Sequence, residues 1–186
     1  YTDTKTVNIP TLPAGTILST HQFSIWLGYV IHEGPGHQTH TDLELYKTTC
    51  QKRNNPQFSY ILNLLEDIRI ENEDIKIYPG DRKYLDSVHQ FIDSKIPNHF
   101  SQNPDIMGLI YKYLFINHRN LNTNIIQGTL NPITAKLISE IDFCYSTQDC
   151  ITLADKIIDF LKEKQQEQTQ EQEENNKNEN QQSNNQ

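Results

Sequence analysis

Cysteine is scarce in this chain: Cys50, Cys144 and Cys150 are the only three in 186 residues. None stands in a CxxC pair, and an odd count argues against a disulfide framework. A reducing, cytoplasmic setting is the expectation. No run of about 18 apolar residues occurs, which excludes a helix built to span a membrane. No basic stripe occurs either, and the net charge is -8, so nucleic acid is not an expected partner. A Gly-rich phosphate loop is missing, as is any Ser or Cys nucleophile motif. The polar start, Tyr1-Thr-Asp-Thr-Lys5, carries no signal peptide. It also lacks an initiator Met, so a fragment of a longer protein is expected.

From Gln165 onward the chain is almost entirely Gln, Glu, Asn, Lys and Ser. Such a segment buries too little apolar surface to offset the entropy of ordering. Two regions are therefore expected: one folded domain over residues 1–164 and a disordered tail or linker over 165–186. The first is long enough to bury a core without disulfides.

Within the folded part the patterning is mainly helical. Thr6-Val-Asn-Ile9 alternates and is β-branched, which suits a short strand ended by Pro10 and Pro13. Residues 16–33 are dense in apolar side chains and suit a buried helix, which Gly34, Pro35 and Gly36 should interrupt. A helix resumes over 37–49. Phe58 to Ile70 has apolar residues on most sides, as a largely buried helix does. Further helices are expected from about Tyr84 to Pro97, from Ile106 to Ile116, from Pro132 to Ile141 and from Thr147 to Lys162, with Thr147 or Asp149 as the last cap. The fold class expected is mainly α (α+β), with a short N-terminal β element.

The chemistry concentrates in Tyr29-Val-Ile-His-Glu-Gly-Pro-Gly-His-Gln-Thr-His-Thr-Asp42, which sets His32, Glu33, His37 and His40 behind an apolar run. Zinc hydrolases use neutral imidazoles as ligands, a further ligand from elsewhere, and an open position for water. In HExxH two histidines four apart share a helix face, and the Glu beside them is the general base. Here the histidines are five apart, about 140° round a regular helix. Three outcomes are open. A π-bulge absorbs the extra residue and reunites His32 with His37. The ligands shift to Glu33, His37 and His40, which share a face at i, i+4 and i+7. Or the cluster is structural and the site inactive.

A second stretch, Ile61-Leu-Asn-Leu-Leu-Glu-Asp-Ile-Arg-Ile-Glu71, offers Glu66, Asp67 and Glu71. A carboxylate third ligand comes from a later helix in such hydrolases, and a neighbouring acid orients a ligand His. Their structural alternative is pairing with Arg69 or Lys76, or plain exposure. His40 is a candidate ligand or a surface residue. His21, His89, His99 and His118 have no partner pattern and read as surface or boundary residues.

Several pieces together resemble one family. They are Tyr1-Thr-Asp-x-Lys-Thr-Val-x-Ile-Pro10, Gly28-Tyr-x-Ile-His-Glu33, His37-x-x-x-Thr41-Asp42, Asn63-x-Leu-Glu-Asp-x-Arg-Ile-Glu71, Tyr78-Pro-Gly80 and Ala154-Asp-Lys-Ile-Ile158. In order and spacing the chain resembles the metallopeptidase-like region of proteins related to the cobaltochelatase CobT subunit, bacteriophage versions included. The resemblance implies a zincin-like helical fold, with His32 and His37 as Zn2+ ligands and Glu33 as general base. For the third ligand Glu66 ranks first and Asp67 close behind; Asp67 and Glu71 also suit ligand and supporting acid. It further implies a peptide or protein substrate, a following von Willebrand factor A domain, and an AAA ATPase partner. The expected activity is peptide hydrolysis by a metal-activated water. The alternative is an inactive scaffold or ATPase-associated subunit of the same type of complex. The departure from the family pattern is the extra residue within Gly34-Pro35-Gly36.

Overall fold

A computed structural model of the chain describes residues 6–95 and 132–183. Among these the architecture is helical throughout. Helix α1 (Thr20–Ile31) continues into a π-helical segment (His32–Gln38). Helices α2 (Leu43–Arg53) and α3 (Pro56–Ile77) follow. A 3-10 turn (Pro79–Asp81) leads into α4 (Arg82–Lys95). After the undescribed stretch come α5 (Pro132–Ser139), a second 3-10 turn (Glu140–Phe143) and α6 (Thr147–Ser183). The helix expected over Ile106–Ile116 lies outside the described residues. Among the described residues no helix is long and apolar enough to cross a membrane.

Local chemistry sets these boundaries. Ser19 and Gln22 form a capping box at the start of α1. Asp42 caps α2 by accepting from the Leu45 amide at 2.9 Å. Asn55 caps α3 through the Gln57 and Phe58 amides, and Pro56 sits at its first position, where no amide hydrogen is missed. Asn54 ends α2 in the left-handed conformation that Asn tolerates. At α6 the cap is Ser146, one residue earlier than expected: its Oγ accepts from the Asp149 amide while Asp149 accepts from Ser146 Oγ and the Tyr145 amide.

Helix α3 is the axis of the fold. Phe58, Ile61, Leu62, Leu65 and Ile68 are buried against Ile151, Ala154, Ile157, Ile158 and Leu161 of α6 and against Ile138 and Ile141. Complete burial of one such side chain is worth about 1.5–3 kcal/mol, so this interface supplies most of the described core. On the other side α1 packs on α4. Their approach is so close that a Cβ on Gly28 would lie 2.3 Å from the Tyr84 carbonyl oxygen and 2.5 Å from Val88 Cγ2. Glycine is required there by contact, not by backbone conformation. Trp26 Nε1 donates to the Pro10 carbonyl at 2.9 Å and ties the N-terminal segment to α1.

One junction joins three elements. Thr147 Oγ1 donates to Glu66 Oε1 at 2.6 Å and accepts from the Asp42 amide at 2.9 Å. The start of α6 is thereby fixed to α3 and to the start of α2.

No strand occurs among the described residues; Val7 makes an isolated bridge and no more. Helix α6 continues past Gln165 to Ser183. No Gly or Pro follows Pro132 to stop it, and Gln, Glu and Lys rank high as helix formers. The last buried side chain among those described is Leu161.

Candidate metal centre

The centre begins where a helix changes pitch. From His32 to Gln38 the backbone is π-helical, bonding i to i+5. Residues five apart, splayed on an α-helix, come nearly into line. The His32 and His37 rings meet edge to face with centroids 4.9 Å apart. The sequence explains why the widening falls here. Pro35 has no amide hydrogen to give Ile31, and in an α-helix its ring would clash with that carbonyl; a wider turn relieves both. Gly36 is buried, and a Cβ on it would stand 3.3 Å from both the Ile31 oxygen and Ile70 Cδ1. Its missing side chain lets the segment lie against α3. Gly34, Pro35 and Gly36 therefore do not interrupt the helix; they are carried inside it.

The third member comes from α3. Asp67 Oδ1 lies 3.3 Å from His37 Nε2 and 3.7 Å from His32 Nε2. One donor atom from each of the three residues falls within 4.8 Å of the others. A tetrahedral ion with bonds of about 2.0–2.2 Å sets its ligand atoms roughly 3.3–3.6 Å apart. His37 and Asp67 already stand at that spacing, and His32, 3.7 Å from Asp67, lies just beyond it.

A ring of partners orients these three. Glu71, one turn beyond Asp67, stands 2.9 Å from His32 Nδ1. An ionised carboxylate only accepts, so Nδ1 carries the proton and Nε2 turns its lone pair to the cluster. Glu71 also accepts from His89 Nε2 of α4, at 3.0 Å. His37 Nδ1 pairs with Thr41 Oγ1 at 3.0 Å. Asn63 Nδ2 donates to Asp67 Oδ2 at 3.0 Å, and the Tyr46 hydroxyl donates to Asn63 Oδ1 at 3.2 Å. Burial pushes the Tyr46 phenol above its ordinary range, so it stays protonated and keeps that donor. The three residues open onto a cavity of about 450 Å³ whose wall also carries Glu33, Thr41, Leu43, Tyr46 and Asn63.

Glu66, ranked first for the third ligand, takes another place. It is fully buried, and its two oxygens receive Arg69 Nη2 at 2.6 Å, Arg69 Nε at 3.0 Å and the Thr147 hydroxyl at 2.6 Å. Successive residues of a helix point about 100° apart, so Glu66 faces α6 while Asp67 faces the histidines. His40 stands outside the cluster. Its carbonyl accepts from Arg69 Nη2 at 2.7 Å, and burial, with Arg69 nearby, holds its ring below the ordinary histidine range. The shifted set of Glu33, His37 and His40 is not assembled. Glu71 supports a ligand and is not one of the converging three.

His89 is corrected too. It is buried on α4 and braces Glu71, where a surface or boundary position was expected. The available signal was Leu85 and Val88, buried neighbours on the same face of α4. Tyr46 carried no signal of its own, and Asn63 only its place at the head of the Asn63–Glu71 pattern, since polar residues that face a cavity look like any exposed ones.

Comparison of the chain with protein-family models, with curated proteins and with solved structures gives no match.

Proposed function

We propose that this domain is a zinc-dependent peptide hydrolase whose centre is His32, His37 and Asp67. The observation that carries it is the convergence of two imidazole nitrogens and one carboxylate oxygen at the floor of an open cavity. Structural zinc sites are closed by four protein ligands, whereas catalytic ones use three and leave a position open. The outer partners have the right chemistry: a carboxylate behind one ligand His and a hydroxyl behind the other.

Bound zinc would supply Lewis acidity toward a carbonyl oxygen and toward water. Glu33 follows His32 directly and lines the same cavity. It serves as general base, taking a proton from the attacking water and returning it to the leaving amine. Leu43 and Tyr46 offer the apolar wall against which a substrate side chain rests. The resemblance to the CobT-related metallopeptidase-like group supports the same function. By that resemblance a von Willebrand factor A domain and an AAA ATPase are the partners.

The test is metal content after purification without added metal. One zinc per chain is expected, lost in His32→Ala, His37→Ala and Asp67→Ala and kept in Glu66→Gln. A peptide-library screen should then show cleavage that Glu33→Gln abolishes with zinc retained. A wild type that takes up no zinc on reconstitution would overturn the proposal and leave a helical scaffold.

A further inference from the structure

We infer that Asn63 is a positioning residue that holds Asp67 to coordination through one oxygen and so keeps a fourth position open at the metal. This rests on the metal-centre reading above. A carboxylate binds a cation through one oxygen or through both. In Asp67 the two oxygens are already divided. Oδ1 faces His32 Nε2 and His37 Nε2 at 3.7 and 3.3 Å. Oδ2 accepts from Asn63 Nδ2 at 3.0 Å. For Asp67 to bind with both oxygens it must break that bond and swing Oδ2 toward the histidines.

The amide that prevents this is itself fixed. Asn63 lies one helical turn before Asp67 on α3, the spacing at which side chains meet. Its own oxygen accepts from the Tyr46 hydroxyl at 3.2 Å. If the amide flipped, its oxygen would oppose the Asp67 carboxylate, and two acceptors would face each other. Asp67, which only accepts, specifies the amide orientation, and Tyr46 donates to the oxygen left on the other side. Asn63 and Tyr46 both line the cavity where the open position lies. The consequence is chemical: three single-atom ligands leave room for water or a carbonyl, and a two-oxygen Asp67 takes that room.

Cobalt(II) substitution of the full chain tests this, because d–d band intensity reports coordination number without any turnover. The wild type should give intense four-coordinate bands that shift when azide enters the open position. Asn63→Leu should keep cobalt but show the weaker bands of higher coordination, with azide binding weakened by about tenfold or more. Tyr46→Phe should move both readouts the same way by less. Should Asn63→Leu fail to fold, Tyr46→Phe on the cavity wall still decides. Wild-type bands and azide affinity in both variants would overturn the inference while leaving the metal centre standing. Loss of cobalt altogether from Asn63→Leu would overturn it too, since Asn63 would then govern whether Asp67 binds and not how. A wild type that takes up neither cobalt nor zinc would overturn the metal centre and this inference with it.

Discussion

His32 Nδ1 and Glu71 Oε1 are 2.9 Å apart across 39 residues of sequence. The pairing fixes the tautomer of His32 and makes its other nitrogen a stronger donor to a cation. Glu71→Ala should weaken zinc binding about 10–100-fold while leaving one zinc per chain at saturation. Competition against a chromophoric chelator measures this. An unchanged affinity would show that the pair does nothing for the metal.

Glu66→Ala separates the core ion pair from the centre. Removing one partner of a buried pair costs about 3–5 kcal/mol, because the other charge is left buried. Arg69 would be that charge, with the His40 carbonyl as its remaining partner. The urea midpoint should fall accordingly, and the protein still folded should hold zinc at wild-type stoichiometry. Loss of zinc from folded protein would put Glu66 back among the ligands.

Gly28→Ala tests how closely α1 must approach α4. Its added carbon would meet the backbone oxygen of Tyr84, which has no rotamer to yield. Overpacking of this kind costs about 1–3 kcal/mol. Because α1 runs directly into His32, a lower melting temperature should come with weaker zinc binding. A variant as stable as wild type would mean that α1 and α4 part freely.

Asp74 sets a pH dependence. It is 1 % exposed, and no donor reaches either carboxylate oxygen. Burial first, then Asp81, then Glu71, push its pKa up to about 6. A carboxyl raised in the folded state binds its proton more tightly folded than unfolded. It therefore costs stability above the folded value, and the cost disappears as pH falls through about 6 toward the ordinary carboxylate range. Asp74→Asn should raise the melting temperature at pH 8, and the gain should shrink steadily between pH 6 and pH 4. A gain independent of pH would assign the effect to packing.

The histidines were legible because their spacing, although irregular, sat behind an apolar run and held a Pro between two glycines. The choice between Glu66 and Asp67 was not. Apolar residues at 61, 62, 64, 65, 68 and 70 leave α3 without one buried stripe, so periodicity does not say which face meets the histidines. Only Arg69, three residues on, hinted that Glu66 already had a partner. The helical core followed from apolar spacing, while the length of α6 did not. Composition shows that a segment lacks a core of its own, and says little about whether it continues a helix already begun.

The junction at Thr147 bears on the order in which the molecule is made. Its two hydrogen bonds close 81 and 105 residues of chain, whereas His32 reaches Glu71 across 39. Longer closures carry a larger entropic cost, and synthesis delivers the amino-terminal part first. The histidines, Asp67, Glu71 and His89 have all left the ribosome before Thr147 is added. The residues of the candidate centre are thus all made while Glu66 is still in water, waiting for the helix that will bury it.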